Sequence, residues 1–106
     1  MSKTGHGNID TWTLDETRRI ITGLVGSKGI RVYLHGSRAR NEACRHSDID
    51  IALDGGGKAV DPALLAQIRE ALEESHIPYT VDLMDMAHAD EKFRERIRRE
   101  GILWNA

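Results

Sequence analysis

Gly36-Ser37 is followed, after ten intervening residues, by Asp48-Ile49-Asp50. These residue types at this spacing suit the handling of a nucleoside triphosphate. Glycine lets a backbone approach phosphate oxygens closely. The Ser37 hydroxyl can add a hydrogen bond. If one helical turn runs from Ser37 to about Asn41, its free N–H groups and dipole face the same phosphate. Arg38 and Arg40 are placed to neutralise triphosphate charge, Arg38 the nearer of the two. Asp48 and Asp50 alternate with Ile49, Ile51 and Leu53. In a strand, residues i and i+2 share a face at about 7 Å, so the two carboxylates project side by side. Two close carboxylates repel unless a counter-charge is present. Magnesium is the natural one, since it prefers carboxylate and phosphate oxygens. Two such ions, about 4 Å apart, stabilise the attacking and leaving oxygens of an in-line phosphoryl displacement.

A third carboxylate would hold the metal nearest the nucleophile. Asp82 is the best candidate, because it lies mid-strand between Val81 and Leu83 and on the opposite face from them. Asp85 competes, but it stands at the strand end, where a turn role is easy to satisfy. Alone, a Gly-Ser pair is a turn and an Asp-x-Asp pair a solvated strand face. Their conjunction, in this order and with a later strand aspartate, points to a nucleotide–metal site.

The elements that must position these residues alternate between helix and strand. Thr13-Leu14-Asp15-Glu16 has the form of a capping box, and Leu14, Ile20, Ile21, Leu24 and Val25 recur near helical spacing. Gly26 and Gly29 are stop signals. Arg31 to His35 reads as a short strand, and Asp48 to Asp54 as the clearest one. Gly55-Gly56-Gly57 ends it. Asp61-Pro62 opens a helix with a cap and a first-turn proline, and Leu64, Leu65, Ile68 and Leu72 form its apolar stripe. Tyr79 to Asp85 is a third strand. A last helix runs from about Asp90 to Glu100 with Phe93 and Ile97 inward, and Ile102-Leu103-Trp104 suits a short edge strand. The fold class expected is α/β (α+β): a small mixed sheet flanked by helices.

The chain has 106 residues, enough for one domain with a modest core. We expect a flexible tail over 1–11 and a single domain over 12–106. Fifteen basic and 17 acidic side chains give a net charge of -2. That argues against nucleic acid as a direct partner, which usually calls for a large basic excess. The single cysteine, Cys44, excludes an internal disulfide and fits a reducing cytoplasm. No apolar run approaches the roughly 20 residues of a membrane span.

Gly36-Ser37, Asp48-x-Asp50 and Asp82 together resemble the signature of the DNA polymerase beta-like nucleotidyltransferase superfamily. More narrowly, Gly-Ser-Arg-Ala-Arg followed by Ser-Asp-Ile-Asp is similar to the minimal nucleotidyltransferases of bacteria and archaea. The resemblance covers about Thr13 to Trp104. It implies the palm fold of that superfamily, with three carboxylates on one sheet surface. It further implies that Asp48 and Asp50 bind two Mg2+ ions and that Asp82 completes the metal site beside the acceptor hydroxyl and helps deprotonate it. Gly36 and Ser37 would hold the β- and γ-phosphates of ATP. The implied partner is a small helical HEPN RNase toxin. The implied reaction is transfer of AMP from ATP to a toxin tyrosine, which makes this chain the antitoxin. Two positions depart from the pattern: Asn41 replaces a frequent glycine, and His35 replaces the commoner aromatic before Gly36. Asparagine tolerates a left-handed backbone, so the first departure leaves the site intact.

Length agrees with a protein acceptor. A metal site and a triphosphate cradle use most of 106 residues, leaving little for a nucleic-acid or antibiotic pocket. The alternative is a binding module that neutralises its partner by contact, without catalysis. The five histidines show no metal-ligand spacing such as H-E-x-x-H. The run Glu91 to Glu100 reads as a solvated helix face with pairs such as Glu95–Arg99, or as a dock for an acidic partner. Trp12 and Trp104 are expected to pack at the core or its edge.

Overall fold

The computed structural model describes residues 11–36 and 48–105. The expected tail over 1–11 therefore falls almost wholly outside the described residues. So does the helical turn from Ser37 to Asn41, together with Ser37, Arg38, Arg40 and Cys44.

Among the described residues, three α-helices and four strands follow in the order α1 (Thr11–Val25), β1 (Arg31–His35), β2 (Ile49–Asp54), α2 (Pro62–Glu74), β3 (Val81–Asp85), α3 (Glu91–Glu100) and β4 (Ile102–Leu103). The strands form one mixed sheet in the order β3-β2-β1-β4. β1 is antiparallel to both β2 and β4, while β2 and β3 run parallel. A parallel pair needs a long crossover, and α2 supplies it.

Alternation along the strands sorts the side chains onto two faces. Val32, Leu34, Ile49, Ile51, Leu53 and Leu83 point to one face and pack with Ile21 and Val25 of α1, Leu64 and Ile68 of α2, and Trp104. Tyr33 and Ala52 point to the other face and pack with Met86 and with Ile97 of α3. The sheet is thus covered by α1 and α2 on one side and by α3 on the other. At the start of β2, by contrast, Asp48 is exposed and Asp50 only half-buried.

Local chemistry explains the element ends. The Asp61 carboxylate accepts from the Ala63 N–H at 2.9 Å, capping α2 with Pro62 in its first turn. The Asp90 carboxylate accepts from the Phe93 N–H at 2.8 Å and caps α3. Hydrogen bonding to Arg94 holds the nearby Glu91 carboxyl below its ordinary range. Asn105 closes the open side of β1: its Oδ1 accepts from the Val32 N–H at 2.7 Å and its Nδ2 donates to the Ile30 carbonyl at 2.8 Å.

Several sequence expectations need correction. α1 begins at Thr11, so Thr13 lies inside the helix, buried, and is not its cap. The Thr13 carbonyl accepts from the Thr17 hydroxyl, and Glu16 pairs with Arg19 instead of reaching back. β2 begins at Ile49, leaving Asp48 just before it, and β3 begins at Val81, not at Tyr79. Arg99 pairs with its neighbour Glu100 at 3.7 Å, not with Glu95. Trp104 is buried as expected, but Trp12 is 55% exposed.

Candidate active site

The register of the sheet brings sequence-distant residues into one row. His35 of β1 is opposite Asp50 of β2, and Asp50 is opposite Asp82 of β3. Neighbouring strands lie about 4.8 Å apart, so Asp82, Asp50 and His35 stand side by side on one face. Asp48 lies one residue before β2 and is exposed; Asp50 is half-buried and Asp82 exposed.

Gly36 terminates β1 directly against this row. Its φ of +76° is a backbone conformation that favours glycine. A β-carbon built there would collide with Oδ2 of Asp50 and would lie 3.3 Å from Asp50 Cγ. Glycine is therefore required twice over, by backbone conformation and by the approach of the carboxylate.

The other buried strand aspartates are occupied by the fold. Asp85 Oδ2 accepts from the Val60 N–H at 2.8 Å and Oδ1 from the Ala87 N–H at 3.0 Å. Asp54 Oδ1 accepts from the Gly56 N–H at 2.9 Å, and Arg98 Nε lies 3.6 Å from Oδ2. Asp85 thus holds the start of α2 and the turn after β3 together, while Asp82 faces solvent beside Asp50.

The carboxylates fit magnesium by their chemistry. That ion is usually held by one or two carboxylates plus substrate phosphates, not by an all-protein cage. Among the described residues no group of three His, Cys, Asp or Glu is placed to hold a metal ion, so the expected Asp48, Asp50 and Asp82 set is not assembled as a three-carboxylate site in this structure.

A cleft of about 270 Å³ opens beside Asp50. His35, Gly36 and Asp50 line its sheet side, and Phe93, Arg96 and Glu100 line its α3 side. The His35 and Phe93 rings meet edge to face, with centroids 6.0 Å apart. Gly101 closes the end, where a β-carbon would lie 2.5 Å from the Ile97 carbonyl oxygen. Sequence reasoning left the role of His35 open and took the Glu91–Glu100 run for a solvated face. The spacing of Phe93, Arg96, Ile97 and Glu100, which places them on one side of a helix, was the available signal.

The family model described as "Polymerase beta, Nucleotidyltransferase" matches residues 20–104. The chain belongs to the polymerase beta nucleotidyltransferase family. A relative, the probable protein adenylyltransferase MntA of Haemophilus influenzae, is 38% identical over 72 residues. The match spans 68% of this chain and 62% of that nucleotidyltransferase relative. Among solved structures, a toxin–antitoxin with AMP-PNP superposes with a TM-score of 0.64 at 24% identity, covering 84% of this chain and 73% of that one. A toxin–antitoxin MntA-HpeT mutant superposes with a TM-score of 0.62 at 22% identity, covering 84% and 72%. At such identities these two establish the nucleotidyltransferase fold alone. The expected fold class and the resemblance to the polymerase beta-like superfamily are confirmed. No described helix is long and apolar enough to cross a membrane.

Proposed function

We infer that this chain is a magnesium-dependent nucleotidyltransferase that moves AMP from ATP to a tyrosine hydroxyl of a HEPN RNase toxin, and so acts as an antitoxin. The observation that carries this reading is the cross-strand pairing of Asp50 with Asp82, with Gly36 packed against the Asp50 carboxylate. Family membership and the relative named as a probable protein adenylyltransferase support the reaction class.

Each residue has a distinct task. Gly36 and Ser37 cradle the β- and γ-phosphates, and Arg38 and Arg40 offset their charge. Asp48, Asp50 and Asp82 would hold two Mg2+ ions, which would supply charge stabilisation at the reacting phosphate. Asp82, or a water that it positions, takes the proton of the acceptor hydroxyl. The acceptor oxygen bonds to the α-phosphorus, the bond from that phosphorus to the bridging oxygen breaks, and pyrophosphate leaves.

The test is neutralisation in cells. A candidate HEPN toxin is co-expressed with wild type or with the Asp48→Ala/Asp50→Ala variant. We expect the variant to fold, by circular dichroism, and to lose neutralisation. Full neutralisation by the variant would contradict transfer and favour inhibition by contact.

A further inference from the structure

The α3 wall of the cleft beside Asp50, formed by Phe93, Arg96 and Glu100, has no part in the chemistry above. We propose that the cleft is the subsite for a purine base of the nucleoside triphosphate, with Arg96 and Glu100 reading the base edge. This rests on the nucleotidyltransferase reading.

Position selects the nucleotide over the acceptor. Asp82 marks the acceptor side of the row, and the cleft lies on the other side of Asp50, next to His35 and Gly36. Size selects a part of the nucleotide. The cleft measures about 270 Å³, below the roughly 300–1,000 Å³ that enclose whole drug-sized ligands.

The lining selects the base over the phosphates. Phe93 and His35 present ring surface and Ile97 adds an aliphatic floor, which suits a planar heteroaromatic group. A carboxylate at the rim, Glu100, repels a polyphosphate. Arg96 Nε lies 3.5 Å from Glu100 Oε1, and the two side chains are 57% and 40% exposed. Arg99 approaches the other Glu100 oxygen at 3.7 Å. Such exposed pairs are worth little, so both partners can turn to a ligand. Glu100 would accept from an N–H donor on the base edge and Arg96 would donate to a ring nitrogen or carbonyl. A purine presents both kinds of group on a double ring large enough to reach from the aromatic wall to this pair.

The test is calorimetry on the full chain with Mg2+ and, in turn, ATP, GTP, CTP, UTP and inorganic tripolyphosphate. We expect one purine triphosphate to bind at least about ten-fold more tightly than CTP and UTP, the scale set by one good polar contact. Glu100→Ala and Arg96→Gln should each erase most of that preference. Glu100→Ala should not weaken tripolyphosphate binding. Equal binding of all four nucleotides by wild type would overturn the base assignment while leaving the nucleotide reading intact. So would variants that keep the purine preference, or that slow transfer alone, since the cleft would then serve the acceptor. Failure of tripolyphosphate and every nucleotide to bind would overturn both readings.

Discussion

Gly36 packs so closely on Asp50 that a β-carbon at position 36 would run into the Asp50 carboxylate. The turn after β1 and the start of β2 are therefore one unit, because the turn residue sets where the Asp50 carboxylate can stand. The coupling follows from β1 and β2 being antiparallel partners that pair His35 with Asp50 at the strand ends.

Gly36→Ala should abolish nucleotide transfer and lower stability by about 1–3 kcal/mol, the usual range for strained backbone. Urea titration reads the stability loss. Removing the carboxylate as well, in Gly36→Ala/Asp50→Ala, should cost less than the sum of the single changes, because the collision is relieved. Strict additivity would show that the two residues do not press on each other.

Asp82→Ala should reduce transfer by about 10²–10⁴-fold, the typical contribution of a positioned base, while the fold persists because Asp82 is exposed. Single-turnover assays with radiolabelled ATP measure this. Transfer at the wild-type rate would remove Asp82 from the site.

Asp85→Ala should behave in the opposite way. Two backbone donors, Val60 N–H and Ala87 N–H, lose their acceptor, at a cost of about 2–4 kcal/mol. Transfer per folded molecule should stay near wild type. A catalytic defect at undiminished stability would exchange the roles given to Asp82 and Asp85.

Much of this was legible in the sequence. β1 alternates Val32 and Leu34 against Tyr33 and His35, and Asp61-Pro62 announces α2 with its own cap. Period-two alternation also placed Asp50 and Asp82 opposite the apolar core. It could not show that their strands are neighbours, since a strand's pattern fixes its faces and not its partners. Thr13 misled because a threonine three residues before a glutamate resembles a cap, whereas α1 starts a little earlier and buries it. The cleft beside α3 was hidden by charge: seven of the ten residues from Glu91 to Glu100 are Arg or Glu. A mixed run of that kind normally faces water along its whole length.

Chelation with EDTA should stop transfer, and Mg2+ should restore it. The melting temperature of the chain without nucleotide should hardly change, because the proposed site would need substrate phosphates to complete the coordination of magnesium. A large drop in melting temperature on chelation would indicate a structural metal.

The most direct measurement is the intact mass of the proposed HEPN partner after incubation with this chain, ATP and Mg2+. The account predicts a gain of one or more AMP units on a tyrosine, lost with Asp48→Ala or Asp50→Ala. An unmodified partner that is nevertheless neutralised would contradict it.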